Sequence, residues 1–220
     1  MSMKYKYLIV GASGSGKSTI AELLDKKYGL KQLISYTTRQ PRYDGENTHI
    51  FVDKIEFDKL KDKIAYTEFD GNEYCATKEQ LDNSDIYIID PKGVEFLKEK
   101  YNNDVLRVIF IKACGSVRYE RMKARLLENS NIEHTQAVNL SLHRIVNDVV
   151  EFYDYEHGFA AIDFVFRNEN DDADYAAREV YKYIMANEIG VKYGGSYYNC
   201  DSDSLDNNTD DSDNSDNNNN

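Results

Sequence analysis

Residues 11–18 read Gly11-Ala12-Ser13-Gly14-Ser15-Gly16-Lys17-Ser18, and they match the pattern G-x-x-x-x-G-K-[ST]. The flanks fit the pattern. Tyr5–Val10 before it is a compact apolar run of strand type, and Ile20, Leu23 and Leu24 after it have helical spacing. In a strand–loop–helix of this kind the glycines let the backbone curl so that successive N–H groups point at phosphate oxygens. The helix beyond the loop adds the positive end of its dipole. Lys17 then reaches the β- and γ-phosphates of a bound nucleoside triphosphate, and the Ser18 hydroxyl takes a place on Mg²⁺. Gly11 to Ser18, with Thr19 next to them, are therefore expected to form an ATP site.

Farther along the chain, Ile86–Asp90 and Val105–Ile111 are further buried-strand candidates, each succeeded by a segment of helical spacing. That alternation predicts a P-loop NTPase-type parallel sheet flanked by helices, in an α/β fold. Between Ile34 and Cys75 the texture changes to short aromatic and β-branched pieces broken by Asp44-Gly45 and Asp70-Gly71, which predicts a small antiparallel β insertion. Residues from Ser116 to about Phe159 are charged and helical and carry Arg118, Arg121, Arg125 and Arg144, as a helical lid would. A last strand should reach Asn168, and a closing amphipathic helix should run from Ala173 to Asn187. The expected organisation is one domain over residues 1–198. Its core is 1–34 and 82–190, its β insertion is 35–81, and its lid lies within 116–145.

Composition narrows the class of function. The formal net charge is −12, of which seven negative charges are the Asp residues of positions 201–220, leaving −5 on the rest. No broad positive field is available for duplex nucleic acid, so anion recognition must be local. Residues 199–220 are Asn, Asp and Ser with almost no apolar side chain, and are expected to be a disordered acidic tail. Three widely spaced cysteines, Cys75, Cys114 and Cys200, read as reduced thiols, and no stretch has the length of a membrane span. A cytoplasmic protein, of a cell or an infected host, is expected, with no membrane partner.

A P-loop alone gives only triphosphate binding, so the acceptor must be read from the segment beyond α-helical residues 20–24. Ser35-Tyr36-Thr37-Thr38-Arg39-Gln40-Pro41-Arg42 places two guanidinium groups and several hydroxyls just after the second strand, a set suited to holding a phosphate.

Together these segments make the chain resemble the guanylate kinases. The resemblance rests on GASGSGKS, on SYTTRQPR and then HIFV, on FDGNEYCAT and on IIDPKG, in order over residues 5–188. It implies a three-part enzyme, with 35–81 as its acceptor-binding insertion, that moves the γ-phosphoryl group of ATP, with Mg²⁺, to a nucleoside monophosphate. By motif position, Ser35, Arg39, Arg42 and Tyr74 would hold the acceptor phosphate, and Asp90 would sit at its base. Arg121, Arg125 and Arg144, with Lys17 and Arg39, would gather around the transferring group, while Asn168 would lie near the adenine. The chain would act as a monomer or a homodimer.

Departures from the family fall in the acceptor pocket. His49 stands where the family has a phosphate-binding Tyr, Ala65 where it has a guanine-reading Glu, Ala76 where it has a base-reading Ser or Thr, and Ile88 where it has the first acid of D-x-D. Glu68, three residues beyond Ala65, would face the other side of a strand. The expectation is transfer to GMP, dGMP or another nucleotide with altered base choice, because polar readout of a base discriminates far more strongly than apolar contact. A kinase of a sugar phosphate and a non-catalytic guanylate kinase-like interaction module stay open. Asp90 likewise has two readings, a base or magnesium-water ligand, or an N-cap for a helix beginning at Gly93.

Overall fold

The structure is a computed structural model, and it describes residues 3–41, 45–46, 48–69, 71–129 and 132–193. Among the expected site residues, Arg42 lies outside these ranges, as do Asp44, Asp70, Cys200 and the acidic tail. In the described residues Cys75 and Cys114 are both free thiols.

Five parallel strands form the main sheet: β1 (Lys6–Val10), β2 (Gln32–Leu33), β7 (Ile86–Ile88), β8 (Leu106–Lys112) and β9 (Phe164–Arg167). Their order is β2-β7-β1-β8-β9, so β1 is the central strand. Tyr7, Leu8, Ile9 and Val10 are all fully buried, because each face of β1 meets a different apolar cluster. Leu8 and Val10 join Val108, Phe110, Val94 and Leu97 on one face. Tyr7 and Ile9 join Ile109, Ile111, Ile20 and Leu24 on the other. Such two-sided burial is why these strands read as continuous apolar runs rather than alternating ones.

The helices covering the sheet obey the same pattern. On the second face lie α1 (Lys17–Tyr28) and α8 (Ala173–Glu188), the latter burying Ala176, Val180 and Ile184. The first face is covered by α4 (Pro91–Lys100), with Pro91 at its first turn and Asp90 as its N-cap. This helix starts two residues before Gly93, since a proline at that position lacks only an N–H that would have had no partner. The strand before it accordingly ends at Ile88, not Asp90.

Residues 36–77 build a second, four-stranded sheet in the order β4-β3-β6-β5, from β3 (Tyr36–Thr37), β4 (Ile50–Phe51), β5 (Lys63–Phe69) and β6 (Asn72–Thr77). It is mixed rather than purely antiparallel. β3 pairs antiparallel with β6, and β5 with β6, but β3 and β4 run parallel. The short helix α2 (Lys54–Lys59) comes after β4, and α3 (Lys78–Asp82) leads back to the main sheet through a capping box at Thr77. Beyond β8, α5 (Gly115–Asn129) and α6 (His134–Glu151) pack against each other over the end of the main sheet, and the one-turn α7 (Tyr153–Glu156) comes next. No helix among the described residues is long and apolar enough to cross a membrane.

Candidate active site

The P-loop leaves the carboxyl end of β1 and enters α1, at the place where open parallel sheets bind ligands because neighbouring connections diverge to opposite sides. Gly16 is the N-cap of α1 at φ 94°, and no side chain caps the helix. Its first-turn amides are thus left to an anion. Two glycines are dictated by their surroundings. A Cβ on Gly14, at φ +78°, would lie 2.6 Å from the Arg118 carbonyl oxygen of α5, and one on Gly16 would lie 2.3 Å from Asn168 Nδ2.

A cleft of about 430 Å³ opens beside this loop and runs to the second sheet. Next to the loop it is lined by Gly11, Ser13, Gly14, Gly16, Lys17, Ser18 and Thr19. Farther along it meets Ser35, His49, Tyr74 and Asp90, and α5 and α6 add Arg121, Arg125 and Arg144. Most of the residues expected from the sequence are therefore brought to one cavity. Four take other positions. Ala12 and Ser15 are buried within the loop, and Asn168 is buried behind it, where its Nδ2 donates to the Ser15 carbonyl at 2.8 Å. Arg39 is held by Glu46, whose two carboxylate oxygens accept from Nη2 at 2.8 Å and Nη1 at 3.2 Å, and which is itself buried.

Local hydrogen bonds orient the rest. Ser35 Oγ and His49 Nδ1 are 3.0 Å apart, and the His49 ring meets Tyr74 edge-on at 5.5 Å between centroids. This is a compact polar pocket at the start of the second sheet. Asp90 satisfies the cap reading with one oxygen, accepting the Gly93 N–H at 2.7 Å, while the other accepts the Thr67 hydroxyl at 2.9 Å inside the cleft. Arg121 donates to the Asn168 carbonyl at 3.0 Å and the Asn170 carbonyl at 2.7 Å, which ties α5 to the loop after β9.

Thr67, Asp148 and Glu151 also line the cleft, and sequence reasoning alone misses them. Thr67 carries a signal. It stands two residues beyond Ala65 on β5 and pairs across the strands with Tyr74, as Ala65 does with Ala76, so these four side chains share a face. Asp148 and Glu151 lie four and seven residues after Arg144, the repeat of one helix face. Burial first, then the nearby Asp90 and Asp148 carboxylates, push the Glu151 carboxyl above its ordinary value.

Lys17 is half-buried in the cleft wall, and desolvation draws its ammonium down to about 8 against the opposing pull of Asp148. The sign of the consequence is fixed. Above pH 8 the nucleotide-free Lys17 is largely neutral and must take up a proton to meet a triphosphate. ATP affinity is expected to weaken as pH rises past 8, by up to roughly tenfold per unit, with proton uptake visible as buffer-dependent heat in calorimetry. A flat affinity between pH 7 and 9.5 would contradict this.

Residues 8–141 match the family model described as AAA domain, a stretch that includes the P-loop and the strands around it. Over 165 residues the chain is 30% identical to the guanylate kinase of Bartonella quintana (strain Toulouse), an alignment that covers 69% of this chain and 72% of that protein. The chain belongs to the guanylate kinase family. It is a nucleoside monophosphate kinase. The guanylate kinase of Bartonella henselae is 29% identical over 178 residues, covering 76% of this chain and 74% of the relative. A solved guanylate kinase from Anaplasma phagocytophilum superposes with a TM-score of 0.58 at 21% identity, over 86% of this chain and 88% of that one, which shows the same fold. This chain carries the full G-x-x-x-x-G-K-[ST] pattern at residues 11–18 and alanine at position 65 of β5 and position 76 of β6.

Proposed function

We propose that this kinase transfers the γ-phosphoryl group of ATP to a nucleoside monophosphate whose base is not selected as guanine. The observation that carries the reading is the single cleft joining the P-loop to the Ser35–His49–Tyr74 pocket, because donor and acceptor phosphates bound at its two ends would be aligned for direct transfer. The relatives named guanylate kinase make GMP the first acceptor to test.

Each role has a geometric basis. The loop amides and the Lys17 ammonium hold the donor phosphates, Ser35, His49 and Tyr74 hold the acceptor phosphate, and Arg121, Arg125 and Arg144 enter from α5 and α6 to offset charge as it spreads over the transferring group. Arg39 reaches the acceptor phosphate if it gives up one of its bonds to Glu46. The acceptor's own phosphate oxygen is the nucleophile, so no side chain needs to remove a proton. Ser18 lines the cleft directly beside Lys17, and its hydroxyl would be the side chain to hold a Mg²⁺ that arrives with the nucleotide, an oxygen donor of the kind this ion takes. Bound there, the ion would supply charge neutralisation for the donor phosphates. Closure of α5 and α6 over the bound pair would exclude water.

Base choice rests on the shared face of β5 and β6. Ala65 and Ala76 are buried and apolar, and Thr67 is the polar side chain on that face nearest Asp90, already bonded to it. Without the guanine-reading carboxylate that the family has at position 65, a polar contact to the base is lost, so the preference for guanine should fall by orders of magnitude. The test is kcat/KM for GMP, dGMP, AMP, CMP, UMP and dTMP with ATP. At least one non-guanine monophosphate is expected within tenfold of GMP or above it. Turnover confined to GMP and dGMP would overturn the altered-base reading.

A further inference from the structure

Asp148 is a carboxylate with 1% exposure, on the face of α6 that meets the P-loop, and neither substrate needs it as a direct ligand. Its Oδ2 accepts the Ser13 N–H at 2.8 Å, and its Oδ1 is 3.2 Å from the Ser13 hydroxyl. That same hydroxyl accepts a bond from Arg144 Nε at 2.7 Å. Because Arg144 can only donate, the hydroxyl proton must go to Asp148, and the direction of the whole relay is set: Arg144 to Ser13 to Asp148. Arg144 Nε also lies 3.7 Å from Asp148 Oδ1, and the buried Arg118 Nη2 lies 3.8 Å from Oδ2. With the Arg118 backbone already packed on Gly14, α5 and α6 close on residues 13 and 14 from two sides.

We infer that Asp148 is a positioning residue for phosphoryl transfer, which acts through Ser13 to hold the Arg144 guanidinium over the phosphate-binding loop and to lock α6 to that loop. The inference rests on the proposed reading, in which the loop holds ATP and Arg144 meets the transferring phosphoryl group. An arginine tethered at Nε keeps its planar fork in one orientation, so charge compensation is in place before the reaction begins. Loss of the relay should therefore lower kcat more than it raises KM for ATP.

The experiment is a double-mutant cycle on the full chain, with kcat, KM for ATP and thermal midpoint measured for Ser13→Ala, Asp148→Asn and the pair, and with Lys17→Ala as the control on the reading. Ser13→Ala keeps its backbone bond to Asp148 and leaves the Asp148–Arg118 contact in place, so it remains informative if Asp148→Asn folds poorly. Each single variant is expected to lose roughly tenfold or more in kcat with KM for ATP within about threefold, and the pair should be no slower than the slower single variant. Folded variants with wild-type kcat, or losses that multiply in the pair, would overturn the inference. Those outcomes combined with an inactive Lys17→Ala leave the donor site standing. An active Lys17→Ala would remove the reading beneath it as well.

Discussion

Lys17→Ala is expected to lower kcat by about a thousandfold or more while leaving the fold intact. The ammonium is the one cation carried by the P-loop itself, and it faces the same cleft as the loop amides. An electrostatic contact made in a water-excluded site to charge that shifts during reaction contributes several kcal/mol to the transition state, and about 4 kcal/mol is a factor of 10³. The stability effect should run the other way. Lys17 is half-buried, its amine donates a long 3.3 Å bond to the Ala12 carbonyl, and desolvation opposes its charge. Removing it should leave the thermal midpoint unchanged or slightly raised. Initial rates with saturating ATP and monophosphate, together with a melting curve, check both halves. Retention of more than a tenth of the activity would contradict the assigned donor site.

The second large effect is expected at Gly14→Ala. Its φ of +78° is a conformation that L side chains rarely adopt, and the new methyl would sit 2.6 Å from the carbonyl oxygen of Arg118 and 3.0 Å from its Cα. These are backbone atoms of α5 and cannot swing away as a flexible side chain would. Either the loop unwinds or α5 moves off it, and each disturbs Arg118, Arg121 and Arg125 along with the amides. Strain of this kind costs on the order of 1–3 kcal/mol, so the protein should still fold. ATP affinity should nevertheless fall about a hundredfold or more, because it depends on several amides held at once. Calorimetric titration of ATP and Mg²⁺ into the folded variant reads this directly. Wild-type affinity would mean that the loop tolerates a second curl.

Much of this architecture is legible in the chain itself. GASGSGKS between an apolar run and an amphipathic helix identifies β1, α1 and the loop between them, because the whole motif and both of its flanks are contiguous in the chain. The remaining parallel strands are visible as continuous apolar runs, since both of their faces are covered. What escapes the sequence is chiefly long-range pairing. Two-residue strands such as β3 and β4 carry no periodicity, so their parallel alignment cannot be read. Arg39 advertises a phosphate ligand, yet the buried Glu46 seven residues on claims it, a pairing made by the turn of the chain and not by any regular spacing. Asp148 and Thr67 are within reach, through helical spacing from Arg144 and strand alternation from Ala65. Only contact with the P-loop and with Asp90 distinguishes them from ordinary polar surface residues.

Asn168 illustrates the same limit from the opposite side. Its position after the last strand marks it as a nucleotide-site residue, and its amide donates to the loop's own Ser15 carbonyl in this structure. A residue at a binding site can serve by shaping the wall. The β5–β6 face is the converse case, because Ala65 and Ala76 are conspicuous by their chemistry, and the structure puts both, buried, on one face with Thr67 and Tyr74.

The most direct test of the central claim is to follow the label of γ-³²P-ATP with Mg²⁺ and each nucleoside monophosphate in turn. Label should appear on the β-phosphate of a nucleoside diphosphate with wild-type protein and not with Lys17→Ala. Label that stays on ATP, or is released only as inorganic phosphate with every acceptor, would contradict a P-loop kinase joined to a monophosphate pocket.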